Sequence, residues 1–214
     1  MHLQSTMSHR YDSPKKQEEK EKTVLWLLRI DLNSFLSDTF TVIKLIAFLG
    51  NPGKEYKDTR HNAGFILCDY LFPYASWQIK FHSQFTKENG VMILKPMTMM
   101  NLSGTAVSEA ASFFKLKDDE IMIVHDDLEI AVGKARIQKG GGLQGHNGLR
   151  SIKDRLGYDS FYRLRIGIGR PVHGDVRLYV TSPFRNDEKI MLSQLFSKIT
   201  PKMLIAAENT ELSI

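Results

Sequence analysis

Short apolar runs alternate along this chain with stretches whose apolar positions fall at helical spacing. Residues 42–49 are a run apolar apart from Lys44 that stops at Gly50-Asn51-Pro52-Gly53, which predicts a buried strand followed by a loop. Residues 62–72 carry apolar side chains at helical spacing and predict the first helix. A short strand is expected at 91–94, ended by Lys95-Pro96. Residues 103–114 bring Ala106, Val107, Ala110, Phe113 and Phe114 onto one face, the signature of a helix. Further strands are expected at 121–124, 134–138 and 162–168, the last closed by Gly169-Arg170-Pro171. Helices are expected at 147–155 and 186–196, the second continuing past Pro201. Strands that alternate with helices argue for an α/β fold with a largely parallel or mixed sheet.

The first 41 residues break this pattern. Residues 1–22 are polar and rich in Lys, Glu, Gln and Ser, too poor in apolar area to offset the entropy of ordering. Residues 23–40 are mixed. We expect 1–41 to be a disordered or loosely packed extension and the domain to span 42–214. Residues 24–30 are apolar apart from Arg29, and no small-residue cleavage site follows them, so they make a poor signal peptide. No run reaches the roughly 18 apolar residues a membrane helix needs. The formal net charge of +5 permits an acidic partner such as nucleic acid without requiring one. The one cysteine, Cys68, excludes an internal disulfide and a Cys-rich metal site. It lies within an apolar helical run and reads as a small buried residue.

Ligands of open α/β sheets bind beyond the carboxyl ends of the strands. Polar clusters follow the strands ending at 49, 94 and 124. In the first, two glycines and a proline force a defined turn, so Asn51 can be aimed, and Tyr56, Arg60, His61 and Asn62 follow. His61 suits a general base because imidazole titrates near neutral pH. The plainer account is a capping histidine with Asn62 as a turn residue. In the second cluster Met99, Met100, Asn101 and Ser103 precede a helix. Asn101 or Ser103 could cap it, or Asn101 could bind a substrate amide or carbonyl. The third is His125-Asp126-Asp127. A carboxylate at a strand end can hold an imidazole in one tautomer, or can be a solvated turn acid. His61, His125, Asp126 and Asp127 could also ligate a metal, but no metal-ligand spacing accompanies them.

A fourth cluster, residues 140–148, has five glycines in nine residues and leads into a helix. It lacks the Gly-Lys-Ser/Thr ending of a phosphate-binding P-loop, and no dinucleotide fingerprint follows the first strand. A nucleotide cofactor is therefore not expected. No Gly-x-Ser-x-Gly elbow is present. The available parts are a histidine, an aspartate and several amides, which suit a water attack on an ester.

Taken in order, FLGNPGKEYKDTRHNAGF, KPMTMMNLSG, IMIVHDDLEIAVGKARIQKGGGLQGHNGLRSI and FYRLRIGIGRP resemble the bacterial-type peptidyl-tRNA hydrolase family. The resemblance runs from about residue 43 to 171, and more weakly to about 205. It implies a single α/β domain, a mixed twisted sheet surrounded by helices, and a cytoplasmic monomer that acts on peptidyl-tRNA without metal or cofactor. Carried over by position, His61 is the catalytic base and Asp126 the acid that keeps it ready. Asn51 distinguishes blocked from free aminoacyl-tRNA. Tyr56, Met99, Asn101 and Asn147 fall at substrate or tRNA contacts, and His146 at a pocket position. Arg136, Lys139, Arg150, Lys153 and Arg155 are candidates for the phosphates of the acceptor stem. Met99 stands where the family often has an aromatic residue. The basic position before the glycine loop is shifted, so Arg136 or Lys139 would take its role. The family's C-terminal helix looks shortened. Two rivals are a non-catalytic RNA-binding protein of the same fold, which the presence of both His61 and Asp126 argues against, and a metal-dependent phosphoesterase.

Overall fold

A computed structural model describes residues 42–207 and 210–214; the expectations for 1–41 lie outside the described residues. Eight strands form one sheet: β1 (Leu45–Phe48), β2 (Gln78–Lys80), β3 (Ser83–Glu88), β4 (Val91–Pro96), β5 (Ile121–Asp127), β6 (Lys134–Lys139), β7 (Tyr162–Gly167) and β8 (Thr210–Ser213). Their order is β2-β3-β4-β1-β5-β7-β6-β8. The central four, β4-β1-β5-β7, are parallel, and both flanks are antiparallel. The helices are α1 (Ala63–Leu71), α2 (Ser103–Phe113), α3 (Asn147–Leu156), α4 (Val176–Val180), α5 (Asn186–Phe196) and α6 (Pro201–Ala206). Among the described residues no helix is long and apolar enough to cross a membrane.

Period-2 alternation in the central strands sends side chains to two cores. Ile46, Phe48, Met122, Val124, Leu164 and Ile166 pack against α1, α5 and α6. Leu45, Ala47, Leu49, Ile121 and Ile123 pack against α2 and α3. All seven residues of β5 are buried, as a strand covered on both faces requires. β1 lies between β4 and β5, so the chain leaves it first to one side and then to the other. Such a switch point opens a crevice at the strands' carboxyl ends.

The α/β class and the mixed sheet agree with the sequence pattern. Four elements do not follow from it. β2 has every residue exposed, β3 reads Ser-Gln-Phe-Thr-Lys-Glu, and β8 reads Thr-Glu-Leu-Ser. These flanking strands have too few apolar side chains to show a period, and cross-strand pairing places them. α4 is a five-residue helix capped by Asp175, which accepts from Arg177 N–H at 2.7 Å. At the other end α6 stops at Ala207, with φ of 49°, and β8 then pairs with β6.

Candidate active site

The crevice at the switch point is floored by the ends of β1, β4 and β5. Beyond β1, the chain makes 3₁₀ turns at Lys54–Tyr56 and Arg60–Asn62 and then enters α1. Gly64 lets α1 begin directly on the strand ends: a Cβ there would meet the carbonyl oxygens of Leu49 at 2.5 Å and Val124 at 2.8 Å. That close approach carries His61, three residues earlier, to the end of β5.

There Asp126 Oδ1 accepts two hydrogen bonds, from His61 Nδ1 at 2.8 Å and His146 Nε2 at 3.0 Å. The tautomers follow from the remaining partners. His146 Nδ1 accepts the backbone N–H groups of Gly148 (3.1 Å) and Leu149 (3.3 Å) at the start of α3, so its proton is on Nε2 and points at Asp126. Both its nitrogens are thereby engaged. His146 lines the pocket but has no nitrogen to offer a substrate; it holds Asp126. His61 Nδ1 donates to Asp126, which leaves its Nε2 lone pair without a partner among the described residues. The three side chains are only 10% (His61), 3% (Asp126) and 8% (His146) exposed.

Burial works against charge on both members of the central pair. It would lower the His61 pKa, but the neighbouring Asp126 carboxylate outweighs it and holds the imidazole above its ordinary value. It would raise the Asp126 pKa, but the two imidazoles outweigh it and hold the carboxyl well below the usual carboxylate range. His125 behaves oppositely. Its Nδ1–H donates to the Asp126 carbonyl at 2.7 Å, and burial, followed by the proximity of His146, pushes its pKa down to about 3. His125 is therefore a neutral structural neighbour, and its buried Nε2 has no partner among the described residues.

Amides occupy the opposite wall. Asn51 Oδ1 accepts the Met100 N–H at 2.7 Å, which fixes the amide orientation and leaves its NH₂ group free for the cavity. Asn62 locks this residue from behind: its Oδ1 accepts Asn51 N–H at 2.8 Å and its Nδ2 donates to Asn51 C=O at 2.9 Å. Asn62 is thus more than a turn residue. Asn101 does not cap α2, which has no side-chain cap, and stands exposed. A cavity of about 580 Å³ brings Asn51, His61, Met99, Asn101, Asp126, His146 and Asn147 together, with Val176, Val180 and Thr181 as a further wall. Tyr56 does not line it; its carbonyl caps Thr59. Met99 is 41% exposed, at the rim.

The glycine loop is held from beneath by Arg163, 1% exposed. Its Nη1 donates to Gly142 C=O and its Nη2 to Gly141 C=O, both at 2.9 Å. Gly141 has φ of 101°, which other residues rarely adopt. The basic candidates do not gather on one face. Arg150 and Lys153 are exposed on α3, and Lys153 is paired with Asp159 at 2.7 Å. Arg136 is paired with Glu211 of β8 at 2.8 Å, and Lys139 stands over the Tyr162 ring. Arg155 lies in a different groove, with Phe81, Glu109 and Phe113 beside α2.

Ligand atoms of His61, Asp126 and His146 lie within 4.8 Å of one another. An ion among them would have to displace the protons that tie both histidines to Asp126. The Cys68 thiol is fully buried and burial pushes its pKa up, so it offers no nucleophile.

One imidazole with a free lone pair, a carboxylate behind it and a free amide across a cavity define the class of hydrolases that aim a water at a carbonyl. The sequence and fold comparisons narrow that class. The peptidyl-tRNA hydrolase family matches residues 45–212. A peptidyl-tRNA hydrolase of Geotalea uraniireducens is 46% identical over 164 residues, covering 73% of this chain and 86% of the relative. One of Geobacter sulfurreducens is 48% identical over 159 residues, covering 71% and 82%. The crystal structure of peptidyl-tRNA hydrolase from Acinetobacter baumannii superposes with a TM-score of 0.69 at 37% identity, covering 78% of this chain and 90% of that one. The chain belongs to the peptidyl-tRNA hydrolase family.

Proposed function

We propose that the protein hydrolyses the ester between a peptide, or an N-blocked amino acid, and tRNA, with His61 as general base. The observation that carries this is the His61 Nε2 lone pair, free in the cavity while Nδ1–H is tied to Asp126. A water bound at Nε2 gives up its proton as its oxygen attacks the ester carbonyl carbon. Asp126 stabilises the imidazolium that forms. The Asn51 NH₂ group donates to the oxygen on which negative charge develops. The ester C–O bond then breaks, and the imidazolium returns its proton to the departing ribose oxygen. Asn101, beside Asn51, binds the first peptide amide, and Met99 and Asn147 contact the substrate at the rim. Arg136, Lys139, Arg150 and Lys153 meet backbone phosphates. The reaction needs no metal or cofactor, proceeds in a monomer and recycles cytoplasmic tRNA.

The test is hydrolysis of N-acetyl-aminoacyl-tRNA beside free aminoacyl-tRNA, with and without chelator. A site built to bond a blocked amide discriminates because the wrong substrate leaves its polar atoms unpaired. We expect release from the blocked substrate alone, untouched by chelator, and equal activity from a chain starting at Val42. Equal rates on both substrates would defeat the reading, and no release at all would favour an RNA-binding role.

A further inference from the structure

We propose that Arg60 is a positioning residue for His61, acting through a buried ion pair with Glu188. Arg60 directly precedes the base in the 3₁₀ turn Arg60–Asn62, yet it is only 4% exposed. Its guanidinium reaches a different segment, 122–128 residues along the chain. Nη1 donates to Ser182 Oγ at 2.7 Å and to Pro183 C=O at 2.8 Å, and Nη2 to Glu188 Oε2 at 2.6 Å. Its carbon lies 4.3 Å from the centre of the Tyr179 ring and 5.5 Å from that of Phe184. The backbone follows the same route: Arg60 N–H donates to Ser182 C=O at 3.1 Å, and Phe184 N–H to Asp58 C=O at 3.0 Å. Glu188 also accepts Arg185 N–H at 2.8 Å, so the ion pair is tied to the start of α5.

Burying two charges is costly, and well-packed apolar residues often match or exceed such a pair in stability. What an apolar pair cannot supply is direction. The guanidinium donates from two nitrogens held in one plane, so its acceptors are fixed at set angles, whereas a lysine ammonium donates from a single freely rotating nitrogen. The segment it grips continues from α4, whose Val176 and Val180 wall the cavity that His61 faces. The Arg60 fork thus sets the distance between the base and the α4 wall of the cavity. Misplacement on the scale of 1 Å costs turnover steeply without removing any group that binds substrate.

This rests on His61 as the base, and the experiment separates the two ideas. Three variants are assayed for melting temperature, kcat and KM on N-acetyl-aminoacyl-tRNA. Arg60→Met leaves the buried Glu188 with only the exposed Arg185 guanidinium, 3.5 Å away, as a charge partner and should lower the melting temperature by on the order of 10 °C. Arg60→Met with Glu188→Gln removes both charges, keeps an acceptor for Arg185 N–H and should regain most of that stability. The kcat of the double variant should nevertheless stay about tenfold or more below the natural protein, with KM held within about twofold. Recovery of kcat together with stability would overturn the proposal and leave Arg60 a merely structural residue. If the double variant fails to fold, Arg60→Lys decides: a kcat loss of about tenfold at unchanged KM supports the role, and natural kcat overturns it. Activity retained by His61→Ala would instead remove the base assignment itself.

Discussion

At the end of β5, Asp126 and two histidines share one carboxylate oxygen, with side chains at most a tenth exposed. Along β6 and α3 the charged groups stand in water: Arg136 and Lys153 are 48% and 47% exposed, and each already holds an acid. The first region has its geometry imposed by burial, because an unpaired polar atom there would be expensive. The second has a geometry that solvent can rearrange, and exposed pairs contribute only about 0–1 kcal/mol. The two regions should therefore fail differently. The pocket should answer to single atoms and to pH, the outer surface to salt.

The sharpest contrast comes from the proposed base, His61. His61→Ala should lower kcat by about 10²–10⁴-fold, the usual worth of a positioned base, while tRNA affinity stays close to natural. Single-turnover hydrolysis and a filter-binding isotherm measure the two parts; near-natural turnover would mean another group takes the proton.

His125 supplies a stability effect of intermediate size. Its pKa in the folded protein is about 3, while an unfolded histidine titrates near 6.5. Below that upper value the unfolded chain takes a proton the folded chain refuses, so stability falls as pH falls. Denaturation at pH 6.5 and pH 5 should differ by about 2 kcal/mol, and His125→Asn should remove most of that slope. His61 acts in a separate window. Its raised pKa adds stability that is complete below about 6.5 and lost as pH rises through the folded value. A His125→Asn protein with the same slope would show that the buried ring is not what opposes the proton.

On the outer surface, Arg150→Gln with Lys153→Gln should change stability by less than about 0.5 kcal/mol. It should instead flatten the dependence of log affinity on log salt, by roughly 0.7–0.9 for each phosphate that is no longer neutralised. An unchanged slope would move the tRNA to another face, and the Arg155 groove beside α2 would be the next to neutralise.

The two regions also differ in how far the sequence could reveal them. Asn51, His61, Asp126 and His146 could be singled out because each sits in a short polar cluster at a strand end or glycine loop, and the family resemblance gave each an expected role. Arg60 was visible only as the residue before His61. Its partner Glu188 lies 128 positions away in an ordinary helical pattern, and no local spacing links them. Asn62 resembles any turn asparagine until its amide meets the Asn51 backbone. Arg163 falls in the run Tyr-Arg-Leu-Arg, where alternation suggests a solvent-facing charge, yet it carries the glycine loop from inside. Arg155 shares its helix with Arg150, but five residues on a helix is well over one turn, and it faces another groove.

The proposed catalysis turns on Asp126 acting on His61, and one measurement addresses that link directly: the pH profile of kcat/KM for the natural protein beside Asp126→Asn. Because the carboxylate holds the His61 pKa above the ordinary value of about 6.5, the acid limb of the natural profile should lie above that pH. With asparagine in place, burial acts unopposed, so the limb should move to lower pH while the plateau falls. A limb that stays where it was, or moves upward, would contradict the pairing of His61 with Asp126 as the source of catalysis.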